Sequence, residues 1–244
     1  MRLMKRILSA AAVLALSASL LVGCSSGTAS SVPVSASSAA ESTVSSVEET
    51  ASSAADENEA AAAQLLNDLT GNYQELWPVI LADEYKQTWL DDCTALVGED
   101  NAEAAFEKLS SMVTGDVYGE DAVKAYANGG GAYFCGFTNS LATLTFDGET
   151  STISGTDKDG NVLFSHTYHY IGMEPVRGLY EFQSDDADSG EFTYFFLAPD
   201  TSAETYHIEF RYGSDAEALS QYDTGEYAYW LASGISTDCD QTMI

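Results

Sequence analysis

Between residues 133 and 212 the apolar residues fall into short alternating runs, at 133–137, 141–146, 162–170, 179–182, 192–197 and 206–212. Alternation suits half-buried strands, because successive side chains of a strand point to opposite faces. The gaps between runs carry turn formers, Asp147-Gly148, Asp159-Gly160 and Ser189-Gly190, which join neighbouring strands as hairpins. Six or more short antiparallel strands must close on themselves or pack as two sheets to hide their edges. A small antiparallel barrel or sandwich is therefore expected, followed by a short helix over residues 215–222.

Ahead of these runs, residues 59–128 read as helical. Gln64, Leu65, Leu66 and Leu69 make one amphipathic stretch, Tyr85, Trp89 and Leu96 a second, and Ala105, Phe106, Leu109 and Met112 a third. Pro78, Gly98 and Gly115 are expected as breaks. Gly129-Gly130-Gly131 precedes a strand rather than a helix, so it lacks the context for cradling phosphate and reads as a hinge between helices and strands.

The N-terminus has a different character. Arg2, Lys5 and Arg6 precede an apolar run over residues 7–22 that is short for a bilayer span, as in a signal peptide over residues 1–23. The run ends in Leu21-Val22-Gly23-Cys24, which resembles the lipobox of bacterial lipoproteins and implies lipidation at Cys24. Residues 24–58 contain no aromatic side chain and are rich in Ser, Ala, Thr, Val and Glu, so they are expected to form a disordered tether. All 14 Tyr, 10 Phe and 3 Trp lie in residues 59–239, enough chain for one sizeable core.

From Cys24 onward six Lys and Arg face 38 Asp and Glu, a formal net charge of −32. Such a surface repels phosphate backbones and attracts cations, so nucleic acid is excluded as a partner. Cys93, Cys135 and Cys239 show no C-x-x-C spacing, and an odd count permits at most one internal disulfide among them. No G-x-S-x-G nucleophile motif is present, and the expectation is a protein that is not an enzyme.

The strand-rich half resembles a known family. Tyr168-His169-Tyr170-Ile171-Gly172 matches a Y-x-Y-x-G strand, and Val176-Arg177-Gly178-Leu179-Tyr180-Glu181 resembles V-R-Y-L-F-E. Phe192-Thr193-Tyr194-Phe195-Phe196-Leu197 resembles F-x-Y-V-Q-F, and Ala203-Glu204-Thr205-Tyr206-His207-Ile208-Glu209-Phe210 is similar to A-E-H-F-H-I-F-F. Tyr212-Gly213-Ser214 with Glu217-Ala218-Leu219 continues the order, and Gly71-Asn72-Tyr73-Gln74-Glu75-Leu76-Trp77-Pro78 is similar to the opening segment. These segments resemble the ZinT-like zinc-recruitment proteins. The resemblance implies a mainly β (α+β) fold, a lipocalin-like antiparallel barrel over residues 131–232 with the helical part on one side.

It also implies zinc ligation by three histidines, one in an S-D-H segment and two in an H-x-H strand. Only His207 is kept here. Thr205 stands at the other H-x-H position, and Asp200 is nearest to the missing S-D-H histidine. Glu209 shares the strand face of Thr205 and His207, since residues i and i+2 point the same way. Asp200, His207 and Glu209 thus form a possible oxygen-rich, one-histidine site for zinc or another divalent cation, or else His207 is a hydrogen-bonded barrel residue beside solvated carboxylates.

His166 and His169, three apart on one strand, are expected on opposite faces and solvated. The acidic segments 157–161 and 185–191 lack the ligand spacing of an EF-hand and read as hairpin turns. The functional expectation is an extracytoplasmic, membrane-anchored lipoprotein that binds a divalent metal and serves a metal ABC transporter. The alternative is a metal-free barrel that binds a small apolar ligand or a protein.

Overall fold

A computed structural model describes residues 44–131, 133–199 and 207–239. Eight strands follow one another round a closed barrel: β1 (Gly71–Glu75), β2 (Thr143–Asp147), β3 (Thr152–Thr156), β4 (Val162–Met173), β5 (Tyr180–Ser184), β6 (Tyr194–Leu197), β7 (His207–Gly213) and β8 (Ala232–Ser236). Every neighbouring pair is antiparallel, and β8 returns to β1 with Tyr73 opposite Ser236. This is the expected antiparallel barrel, with eight strands as in lipocalins.

The barrel interior is aromatic. Phe146, Phe182, Phe195, Phe210 and Tyr212 are each at most 1% exposed and belong to one buried cluster. Along β7 the inward residues are Ile208, Phe210 and Tyr212, so His207, Glu209 and Arg211 point out of the barrel. Truncating one of these filled positions to Ala costs about 3–5 kcal/mol, because the surrounding rings cannot collapse into the void.

Helix α1 (Val44–Asp68) lays Ala62, Leu65 and Leu66, with Leu69 just beyond it, against the interior cluster. It begins ahead of the helical start expected at Glu59 and inside the segment assigned to the tether, where Ala and Glu favour a helix. The β2–β3 turn comes so close that a Cβ on Gly148 would lie 2.4 Å from the Asn67 backbone.

The remaining helical part lies outside the barrel. Helices α2 (Leu76–Ile80), α3 (Lys86–Val97), α4 (Glu99–Val113) and α5 (Glu120–Ala127) follow β1. Leu76, Trp77, Ile80, Trp89 and Val113 form a second buried cluster with Cys135 and with Ile235 of β8. The indole of Trp89 donates to the Ile80 carbonyl at 2.7 Å, which fixes α3 against α2. Because this cluster covers the outer wall, β7 and β8 are buried on both faces rather than alternating. The last helix, α6 (Ala216–Leu219), is capped by Asp215, whose side chain accepts from the Ala218 N–H at 3.0 Å.

Several expectations need correction. Residues 133–137 are not a barrel strand. They run irregularly beside the last strand and make single bridges from Phe134 to Thr114 and Trp230. The Glu75 carboxylate accepts the Phe137 N–H there at 2.5 Å. Three barrel strands fall where no apolar run was read: β1 within the expected helical part, and β3 and β8, which are short and rich in Ser, Thr and Gly. Pro78 does not break the chain but sits in the first turn of α2, where a backbone N–H has no intrahelical partner to lose. Gly98, at φ 84°, does separate α3 from α4.

Candidate metal centre

On the outer wall of β7, His207 Nε2 lies 3.8 Å from Glu209 Oε1. Their side chains are 11% and 25% exposed, so the pair is sheltered yet reachable from solvent. The separation follows from the strand, which sets residues two apart on one face. Across the ladder His207 faces Ile235 and Glu209 faces Ser233. An imidazole beside a carboxylate suits a borderline or hard divalent cation as two of its ligands. Among the described residues no three His, Cys, Asp or Glu side chains stand close enough to hold an ion together. Asp200 and Thr205, the other expected site positions, lie outside the described residues, as does Cys24.

A cysteine absent from the expected site borders this wall. The Cys135 carbonyl accepts the Ser233 N–H at 3.0 Å. Burial pushes the Cys135 thiol up to about 12, and the negative charge of Glu209 adds to the shift. Ser233, Trp77 and the more distant Arg177 pull the other way. Its isolation in an irregular segment left no spacing signal in the sequence.

The third outward residue of β7, Arg211, is completely buried. It donates to the carbonyls of Leu219 and Tyr227, and to that of Gln221 at 3.2 Å. Burial lowers its affinity for the proton, to a pKa of about 10. The Arg177 guanidinium carbon stands 4.4 Å from the Tyr222 ring centre. Beside them Glu174, also fully buried, accepts from the N–H groups of Val176 and Arg177 at 2.6 and 2.7 Å and from the Tyr222 hydroxyl at 3.3 Å. These groups fasten the chain against the barrel wall.

His166 and His169 do lie on opposite faces of β4. His169 is exposed and pairs with Asp185 at 2.6 Å. His166, expected in solvent, is instead only 16% exposed, because its face carries Phe164 and Tyr168 into the core. It pairs with Asp186 at 2.7 Å. The acidic 185–191 segment thus joins β5 to β6 and spends two of its carboxylates on histidines. Asp157 likewise accepts the N–H groups of Asp159 and Asn161 within the β3–β4 turn.

Comparison with solved structures finds likeness to the Zn(II)-bound ZinT-like domain of AdcA from Streptococcus pneumoniae. The identity is 16%, over 73% of this chain and 89% of that one, with a TM-score of 0.46. This chain is similar to that ZinT-like domain. Against the larger Zn(II)-bound AdcA chain from the same organism the identity is again 16%, over 72% of this chain, with a TM-score of 0.44. The match spans 33% of that longer chain. No family model and no curated protein matches.

Proposed function

We propose that this chain is an exported lipoprotein, lipidated at Cys24, that binds a divalent cation, zinc foremost, and delivers it to a metal ABC transporter. His207 and Glu209 begin the site, and Asp200 and the Thr205 position border it. The observation that carries this reading is the 3.8 Å approach of His207 to Glu209 on one strand face. The sequence resemblance to zinc-recruitment proteins and the excess of carboxylates, which draws cations to the surface, support it. The role is binding and transfer, with no catalytic step. The alternative of an apolar ligand inside the barrel is disfavoured by the buried aromatic rings that occupy the interior.

Isothermal titration with zinc tests the reading. A full structural zinc site in a peptide is worth about 10–16 kcal/mol, so each ligand carries on the order of two decades of affinity. With one histidine in place of three, a dissociation constant of about micromolar or weaker is expected. His207→Ala should abolish binding, and Thr205→His should strengthen it about a hundred-fold by restoring the H-x-H pair. Binding untouched by both substitutions would place any metal elsewhere.

A further inference from the structure

The outer wall of β7 and β8 gathers a third group able to ligate a metal. Cys135 is hydrogen-bonded through its carbonyl to Ser233, the ladder partner of Glu209. It also packs in the same cluster as Ile235, the ladder partner of His207. Cys135 therefore lies over the two rungs that carry the candidate ligands, and Glu209 acts electrostatically on its sulfur.

A second observation points to an anionic sulfur at this place. The Trp77 indole N–H, in a residue nine-tenths buried, finds no acceptor in ordinary hydrogen-bond geometry. It is directed at the Cys135 sulfur, as is the Ser233 side chain. A thiol accepts hydrogen bonds weakly, whereas a metal-bound thiolate accepts them well, and outer donors of this kind hold metal ligands in place.

We propose that Cys135 is the third protein ligand of the cation site begun by His207 and Glu209, making the site selective for a soft or borderline ion such as zinc. This rests on the metal-binding reading above. On binding, the S–H bond of Cys135 breaks, its proton leaves to solvent, and the sulfur electron pair forms the bond to the cation, with no change of oxidation state. The three side chains are not gathered around one point in the metal-free structure. Binding draws the partly exposed Glu209 side chain toward the cysteine. A thiolate in the ligand set disfavours magnesium, calcium and manganese.

The test is cobalt(II) titration of the reduced full chain carrying Cys24→Ser, followed by absorption. The expected result is visible ligand-field bands together with the near-ultraviolet charge-transfer band of a sulfur–cobalt bond. Adding Cys135→Ser should remove the charge-transfer band and weaken cobalt binding about a hundred-fold. Cys93→Ser and Cys239→Ser should keep both. Circular dichroism and thermal melting of the metal-free variants establish that each is folded, and Cys135→Ala provides a second replacement. Ligand-field bands lost on His207→Ala, but never accompanied by the charge-transfer band, would overturn the thiolate and leave the His207–Glu209 site standing. A charge-transfer band that survives Cys135→Ser would also overturn it, and no cobalt binding at all would overturn both.

Discussion

The guanidinium of Arg211 lies over the ring of Tyr222, 4.4 Å from its centre. Among the described residues this buried cation makes no ion pair, and backbone carbonyls with one aromatic face stand in for water. Arg211→Ala should therefore cost about 3 kcal/mol or more, since it strands several buried acceptors at once. Arg211→Lys should recover little, because a compact ammonium cannot reach the carbonyls of Leu219, Gln221 and Tyr227 as a planar fork does. Urea denaturation of both variants is the measurement, and parent-like midpoints would refute the assignment.

Alkaline pH should destabilise the fold ahead of what exposed tyrosines would produce. Burial raises the phenols of Tyr168, Tyr212 and Tyr222 above their ordinary value of 10.0, and it raises the Cys135 thiol from 9.0 to about 12. In each case the unfolded chain releases the proton first. The stabilisation is complete below the unfolded pKa and is lost as pH climbs toward the folded value. Arg211 works in the opposite sense, because its folded pKa of about 10 lies below 12.5, so its desolvation cost eases over that interval. With more groups raised than lowered, the urea midpoint should fall from pH 9 upward. Tyrosinate absorbance should show these phenols ionising together with unfolding.

Gly148→Ala should loosen the seat of α1. The added methyl would meet the Asn67 backbone at 2.4 Å, and backbone cannot turn aside as a side-chain tip can. A loss of about 1–3 kcal/mol is expected from this overpacking. Gly160→Ala is the contrasting control: a Cβ there meets nothing within 4 Å, but the φ of 81° strains any side chain. Its smaller loss would be conformational alone. Equal losses would mean that the α1 contact contributes nothing.

Replacement of Cys24 by Ser should release the chain from membranes, because composition offers no second anchor in the segment that follows. Mass spectrometry for the lipid and fractionation of cells expressing either form provide the check. Unlipidated protein that still sediments with membranes would contradict the anchoring.

The barrel was legible where its strands carry contrast. β2, β4, β5, β6 and β7 contain Phe, Tyr, Leu or Ile at alternate positions. β8, Ala-Ser-Gly-Ile-Ser, holds its place through ladders to β7 and β1 and through the cover over its outer wall, which are tertiary facts with no local signature. The same cover explains Arg211: a charge inside a strand reads as solvent-facing until something is known to pack on it. His207 and Glu209 were readable as a pair because strand period alone relates them. Cys135 joins that wall only through a segment distant in sequence.

The ring is sealed by its first and last strands, Gly71–Glu75 against Ala232–Ser236. A chain that emerges N-terminus first, from a ribosome or through a translocation channel, exposes β1 long before its second partner exists. Closing a loop of that size also slows the final pairing. The barrel thus cannot lock until almost the whole polypeptide is out. Any cargo that depends on the wall of β7 and β8 must be acquired on the far side, after passage is complete.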